Sequence, residues 1–256
     1  MHTRLLTFSV SHFSEKARWA LDANGVPYRE RPLPLGLHVP YVRWRAPRSS
    51  VPVLEHGGDV VQGSSAILDF LERRLGGVAL AAPEQQRARA AELEALADRA
   101  FGGGIVRVLY DALLASPDDM VPLWAPDLHD GAPVATQRRL YRAAFPWLRW
   151  GIRRTYRIRS DTVRAARERL IAGFDETDRA LGGRPYLLGP RPTRVDVTVA
   201  ALLAPLCRPR EHMLTWPREF PPALTELVAV LDRRPTWELV LRMYREHRAT
   251  RPRAEA

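Results

Sequence analysis

Three hydroxyls and an imidazole crowd one short stretch near the start of the chain, Ser9, Ser11, His12 and Ser14 within "SVSHFSEKARWALD". A second pair, Ser64-Ser65, opens "SSAILDFLERRLGG". Both stretches read as helix starts, where unpaired backbone N–H groups and a partial positive charge await either a capping side chain or an anion. A hydroxyl at such a place caps the helix, and the N–H groups beside a capping serine can still hold a carboxylate. Taken alone, the residues favour caps.

Other chemistries are excluded by what the chain lacks. Cys207 is the only cysteine, so an internal disulfide, a C-x-x-C redox pair and a cysteine-rich zinc site are all ruled out, and no metal is expected. No apolar run approaches the ~18 residues of a membrane span, and the first residues lack the apolar core of a signal peptide. A cytoplasmic protein with no membrane partner is expected. The net charge of +10 would ordinarily suggest a nucleic-acid partner. However, Lys16 is the only lysine among 39 basic residues and Ala and Pro are abundant, which reads as an arginine-codon bias rather than a specific nucleic-acid site.

The elements that must position these groups follow from periodicity. "RLLTFSV" reads as a strand, and Phe13, Ala17, Ala20 and Leu21 form one helical stripe that Asn24-Gly25 can end. "VPYRERPL" is a second strand; residues 34–50, with three prolines, read as irregular. "VPVLEHGGDVVQ" is a hairpin about His56-Gly57-Gly58, followed by a serine-capped helix with Ile67, Leu68, Leu71 and Leu75 on one face. Beyond Pro83 only helical patterns remain. Gly102-Gly103-Gly104 should bend or break one long helix, residues 117–133 read as a proline-rich loop, and the last few residues carry no pattern. The aromatics and arginines of "RAAFPWLRWGIRRTYRIR" suggest a membrane-surface helix, but Pro146 and Gly151 should interrupt it, and a helix of the second domain with its charged face in water is expected instead. Thr193 and Asp196 form a capping pattern ahead of an apolar helix, a structural role worth about 1 kcal/mol.

This order of strand-helix-strand unit, hairpin beginning Val51-Pro52 and all-α remainder resembles the glutathione S-transferase family over nearly the whole chain. The likeness rests on "SHFSEKARWALD", "VPVLEHGGDVVQGSSAILDFLE" and "RPYLLGPRPTRVDVTVAALLAPL" occurring in that order. It implies an α/β plus all-α architecture: a thioredoxin-like glutathione-binding domain over residues 1–80 and an all-helical C-terminal domain over residues 84–248. It also implies a cis Val51-Pro52 bond, where the residues alone favour a trans proline opening an edge strand.

The resemblance assigns roles. Ser11 stands where serine-type members keep the hydroxyl that stabilises the glutathione thiolate, and Ser14 is the alternative donor; His12 is expected to be a solvated loop residue. Val51 would pair its backbone with the cysteinyl unit of glutathione. The γ-glutamyl group is held in relatives by an acid-serine pair, which here is Gly63-Ser64, with Ser65 next and Gln62 as a partial substitute for the missing acid. Arg48 is the implied partner of the glycyl carboxylate, with Arg43, Arg45 and His38 as rivals, and Tyr110, Phe101 and Trp124 are candidate walls of the electrophile pocket. The implied function is a transferase that uses glutathione as co-substrate against a small hydrophobic electrophile in detoxification, as a homodimer. The alternative is a non-catalytic binding or interaction protein with a degraded glutathione site.

Overall fold

A computed structural model describes residues 3–77, 79–125, 133–216 and 219–248 of the 256. The patternless tail and residues 126–132 of the expected 117–133 loop lie outside them.

Strand β1 (Thr3–Thr7) carries adjacent leucines, and because alternate residues of a strand face opposite sides, Leu5 and Leu6 bury into two different cores. Leu5 and Leu54 meet Ala17, Ala20 and Leu21 of α1 (His12–Ala23) and Ile67, Leu68 and Leu71 of α3 (Ser64–Arg74). On the other face, Leu6 and Val53 meet Leu33, Val42 and Ala46. The four-stranded sheet has the order β2-β1-β3-β4, with β2 (Arg29–Pro32) parallel to β1 and the hairpin β3 (Val53–His56), β4 (Asp59–Gln62) antiparallel. Gly57 and Gly58 both adopt positive φ, as the two-residue hairpin turn requires.

The segment expected to be irregular contains a short helix, α2 (His38–Arg43). Pro40 sits in its first turn, where a missing N–H removes no intrahelical bond.

The helical part begins with α4 (Arg87–Ala97), passes through a π turn (Asp98–Gly102) and continues as α5 (Gly103–Leu113), so the glycine run distorts the helix without ending it. Next comes α6 (Pro117–Trp124), inside the expected loop. Ser116 caps it by accepting from Asp118 N at 3.1 Å, Pro117 opens it, and Asp118 and Asp119 occupy its first turn. Helix α7 (Val134–Thr155) runs uninterrupted through Pro146 and Gly151. Pro146 is exposed, so the Arg142 carbonyl it leaves unpaired can be hydrated. Helices α8 (Ser160–Leu181), α9 (Arg194–Cys207), α10 (Pro222–Leu231) and α11 (Pro235–His247) complete the chain.

Helix α9 is buried on every side from Val195 to Cys207, and α1 and α11 pack against it. Its N-terminus is held by Asp196, which accepts from Thr193 N, Thr193 Oγ1 and Leu187 N at 2.8, 2.9 and 2.8 Å. Among the described residues no helix is long and apolar enough to cross a membrane.

Candidate functional site

In the turn from β1 into α1, Ser11 and Ser14 have different surroundings. Ser11 is the N-cap, in extended conformation, and its Oγ accepts from Ser14 N at 3.2 Å. A hydroxyl has one proton and two lone pairs, so capping leaves the Ser11 O–H free to donate elsewhere. Ser14 differs. It is fully buried, its Oγ accepts from Phe8 N at 3.4 Å, and it is not in the wall of the cavity that Ser11 lines, so the alternative donor is walled off behind the turn. One residue on, Glu15 is buried; desolvation would raise its pKa, but Arg248, His212 and Arg18 outweigh that and hold it at about 2.

His12 is not the solvated residue expected from sequence. It is buried, its Nε2 lies 3.1 Å from the Gly102 carbonyl of the π turn, and desolvation lowers its pKa to about 4 against the opposing pull of that carbonyl. It is therefore neutral near pH 7 and ties α1 to the helical part.

Ser11 and His12 stand at the edge of a cavity of about 740 Å³. Its walls come from the β1–α1 turn, residues 35–39, Ser49 to Val51, helices α5, α6 and α7, and Trp216 and Phe220. No Asp, Glu, Lys or Arg lines it among the described residues. Tyr110 and Tyr156 face one another across 5.8 Å in its wall, and burial raises both phenol pKa values, so both stay protonated donors. Phe101 and Trp124, offered with Tyr110 as pocket walls, are instead fully buried core residues.

Beside Ser11, the Val51-Pro52 peptide bond is cis, and Val51 lines the cavity. Gly63 N donates to Pro52 O at 2.9 Å, which seats the start of α3 next to this bond. Gly63 has φ of 102°, a conformation that L side chains rarely adopt. Ser64, one residue on, is the first residue of α3 and is buried.

The amide of Gln62 is engaged by the preceding loop. Its Oε1 accepts from Arg48 N at 3.0 Å and its Nε2 donates to Arg48 O and Ser50 O, each at 2.7 Å, so it pins the preceding loop and leaves only the second lone pair of Oε1 for an ammonium. Arg48 reaches the start of α3: its Nη2 lies 3.9 Å from the position a Gly63 Cβ would take. Its rivals lie elsewhere. Arg45 pairs with Glu55 at 3.2 Å and stacks on Tyr41, Arg43 is exposed, and His38 lies edge-on to Phe8 in the apolar cavity.

Ser65 turns away from the cavity into the seam between the two parts of the chain. It accepts from Lys16 Nζ at 2.8 Å and donates to Asp98 Oδ2 at 3.2 Å. Lys16 also pairs with Glu94 at 2.6 Å, which Arg194 holds from the other side at 2.7 Å. This cluster joins α1, α3, α4 and α9 and belongs to the frame of the site.

Residues 5–79 match the family model of the glutathione S-transferase N-terminal domain, and residues 160–229 match that of its C-terminal domain. The chain belongs to the glutathione S-transferase family. Its fold is similar to that of the beta-etherase LigF from Sphingobium sp. strain SYK-6, at 18% identity over 94% of this chain and 98% of that one, with a TM-score of 0.60. A glutathione S-transferase of Ceriporiopsis subvermispora in complex with glutathione aligns over 99% and 100% of the two chains at 13% identity and TM-score 0.63. The theta class glutathione S-transferase of Xanthomonas axonopodis pv. citri, with glutathione bound, aligns over 93% and 96% at 20% identity and TM-score 0.55. No curated protein matches by sequence.

Against the family pattern, the departure is concentrated at the start of α3. Ser11 and Val51 of the cis Val51-Pro52 bond line the cavity, while Ser64 is buried at the start of α3 with Arg48 near Gly63, neither of them in the cavity wall; Gly63 stands where the resemblance puts the acid, and Gln62 and Ser65 are bonded to other protein groups. Sequence reasoning missed the burial of His12, because its partner Gly102 lies 90 residues away. It also missed Trp147, Trp150 and Tyr156 as cavity walls, since these come from the long helix α7 and the turn after it.

Proposed function

We propose that this protein is a glutathione-dependent transferase in which Ser11 stabilises the glutathione thiolate for attack on a bulky, neutral, apolar electrophile held in the 740 Å³ cavity. The observation that carries the reading is Ser11 at the N-terminus of α1 on the edge of that cavity, its Oγ accepting from Ser14 N and its O–H donating to no group among the described residues. A cysteine thiol has a pKa of about 8.5, and lowering it by two units takes roughly 2.7 kcal/mol of preference for the anion. A hydrogen bond to the charged form together with the helix field supplies an amount of that order.

The thiol releases its proton to water, and the sulfur forms a bond to the electrophilic carbon as the displaced group leaves with its bonding pair. Tyr110 and Tyr156 offer protonated phenols toward the developing charge on the substrate. Val51 pairs with the cysteinyl backbone, and Ser64, the first N–H groups of α3 and Arg48 receive the γ-glutamyl carboxylate. Arg48 thus serves that end of the tripeptide rather than the glycyl end. With Gly63 in the acid position, the ligand's ammonium loses a charge-assisted hydrogen bond, which weakens glutathione roughly tenfold to a hundredfold. The division into residues 1–80 and 84–248, a homodimer, a detoxifying role and a cytoplasmic location belong to the same reading.

A second reading is a binding or interaction protein without turnover. Gly63 and the tethering of the Gln62 amide to the preceding loop favour it.

The test is calorimetric titration with glutathione and turnover of a generic aryl halide, on the wild type and on Ser11→Gly. Glycine keeps most of the capping preference, at a cost of only a few tenths of a kcal/mol, so stability and chemistry separate. The bound thiol pKa should rise by about one to two units and turnover at neutral pH should fall about tenfold to a hundredfold. Unchanged turnover in Ser11→Gly would overturn the role of Ser11. Absence of binding at millimolar glutathione would establish the second reading.

A further inference from the structure

Helix α7 is amphipathic in an unusual sense. Its inner face is buried through Gln137, Tyr141, Phe145 and Ile152, yet its outer face is also apolar. Leu140, Ala143, Trp147 and Trp150 recur at spacings of three and four and so share one stripe. Trp147 is 78% exposed and Trp150 66%. Both tryptophans also line the apolar cavity, as does exposed Val39, and Leu37, two residues before Val39, is exposed as well.

The charge around this stripe has one sign. Between Val134 and Arg159 the chain carries arginines at 138, 139, 142, 149, 153, 154, 157 and 159 and no Asp or Glu. Arg142 pairs with Asp118 of α6 and Arg153 with Asp111 of α5. Arg138, Arg139, Arg149 and Arg154 form no ion pair among the described residues, and all four are exposed. A second copy of this chain placed across the stripe would oppose arginines to arginines. A neutral apolar partner would leave the guanidinium groups unanswered.

We infer that the outer face of α7 docks on an anionic lipid surface, with tryptophans and leucines in the interfacial layer and arginines on the headgroups. Duplex nucleic acid would satisfy the arginines but leaves Leu140, Ala143, Val39 and Leu37 in water. The docking points the mouth of a cavity free of charged walls at the phase into which neutral apolar compounds partition. That consequence rests on the proposed substrate class, whereas the docking itself does not. It also replaces the sequence reading in which this face lies in water.

The experiment is co-sedimentation of the full chain with vesicles of phosphatidylcholine alone or mixed with phosphatidylglycerol, in the absence of glutathione. Binding should appear on the anionic vesicles only, weaken with salt, and be accompanied by quenching of tryptophan emission by brominated lipid. Trp147→Ser/Trp150→Ser should lower partitioning at least ~10-fold. Arg139→Gln/Arg154→Gln, which leaves the cavity walls untouched, should also lower it at least ~10-fold, each charge contributing about fivefold near the surface. Equal partitioning of either double variant, absence of binding to anionic vesicles at low salt, displacement by duplex DNA without lipid quenching, or a changed oligomeric state in place of lipid binding would each overturn the inference.

Discussion

His12 makes the stability of this protein depend on pH in a calculable way. Its folded-state pKa is about 4 against an ordinary 6.5, because burial disfavours the imidazolium. The contribution is therefore fully present above about pH 6.5 and is lost as pH falls toward 4, since the unfolded chain takes up the proton that the folded one refuses. At about pH 5 the single residue accounts for a loss of about 2 kcal/mol relative to neutral pH, and for about 3 kcal/mol once both states are protonated. His212 acts in the same direction, with a folded value of about 4, while Asp98 and Asp196, whose pKa values burial raises, act in the opposite one. Comparison with His12→Gln removes these shared terms, because the glutamine amide can still donate to Gly102 O but does not titrate. Urea unfolding followed by tryptophan emission, repeated from neutral to about pH 5, should show the wild type losing about 2 kcal/mol more than the variant. Parallel pH profiles would refute the buried, neutral assignment of His12.

Two further perturbations test the frame. Asp196→Ala leaves the buried N–H groups of Leu187 and Thr193 without an acceptor, so denaturation should report a loss of roughly 3 to 5 kcal/mol, well above the ~1 kcal/mol of an ordinary cap; a loss under that smaller figure would show the amides re-paired. A Cβ on Gly102 would lie 2.8 Å from Phe13 Cζ, so Gly102→Ala should destabilise by about 1 to 3 kcal/mol, and Phe13→Leu in the same chain should recover part of it; strictly additive effects of the two changes would argue against the contact.

The sheet and its two helices were legible because their cores are local and periodic. Leu5 and Leu6 report two faces of one strand, Ile67, Leu68 and Leu71 report one face of a helix, and Gly57-Gly58 report the turn. Helix α6 was also written in the chain, as serine, proline and two aspartates at the positions a helix start favours, but the same prolines also signal a break. What no local pattern holds is which polar groups are already spent. Gln62 and Ser65 flank the pair that the resemblance assigns to the ligand, yet Arg48 and Ser50 bond one of them and Lys16 and Asp98 the other. The continuation of α7 through Pro146 was equally hidden, because it depends on which side of the helix the proline falls, and with it went the cavity wall.

The only lysine of the chain, Lys16, is enclosed among Glu94, Asp98 and Ser65 with none of its surface in water. Reagents that acylate amines therefore find no side chain to modify on the native protein, and enzymes that tag lysines find no handle. Acylation at this one position marks molecules in which the sheet has come away from the helices, so the extent of labelling over time reads out how often that seam opens.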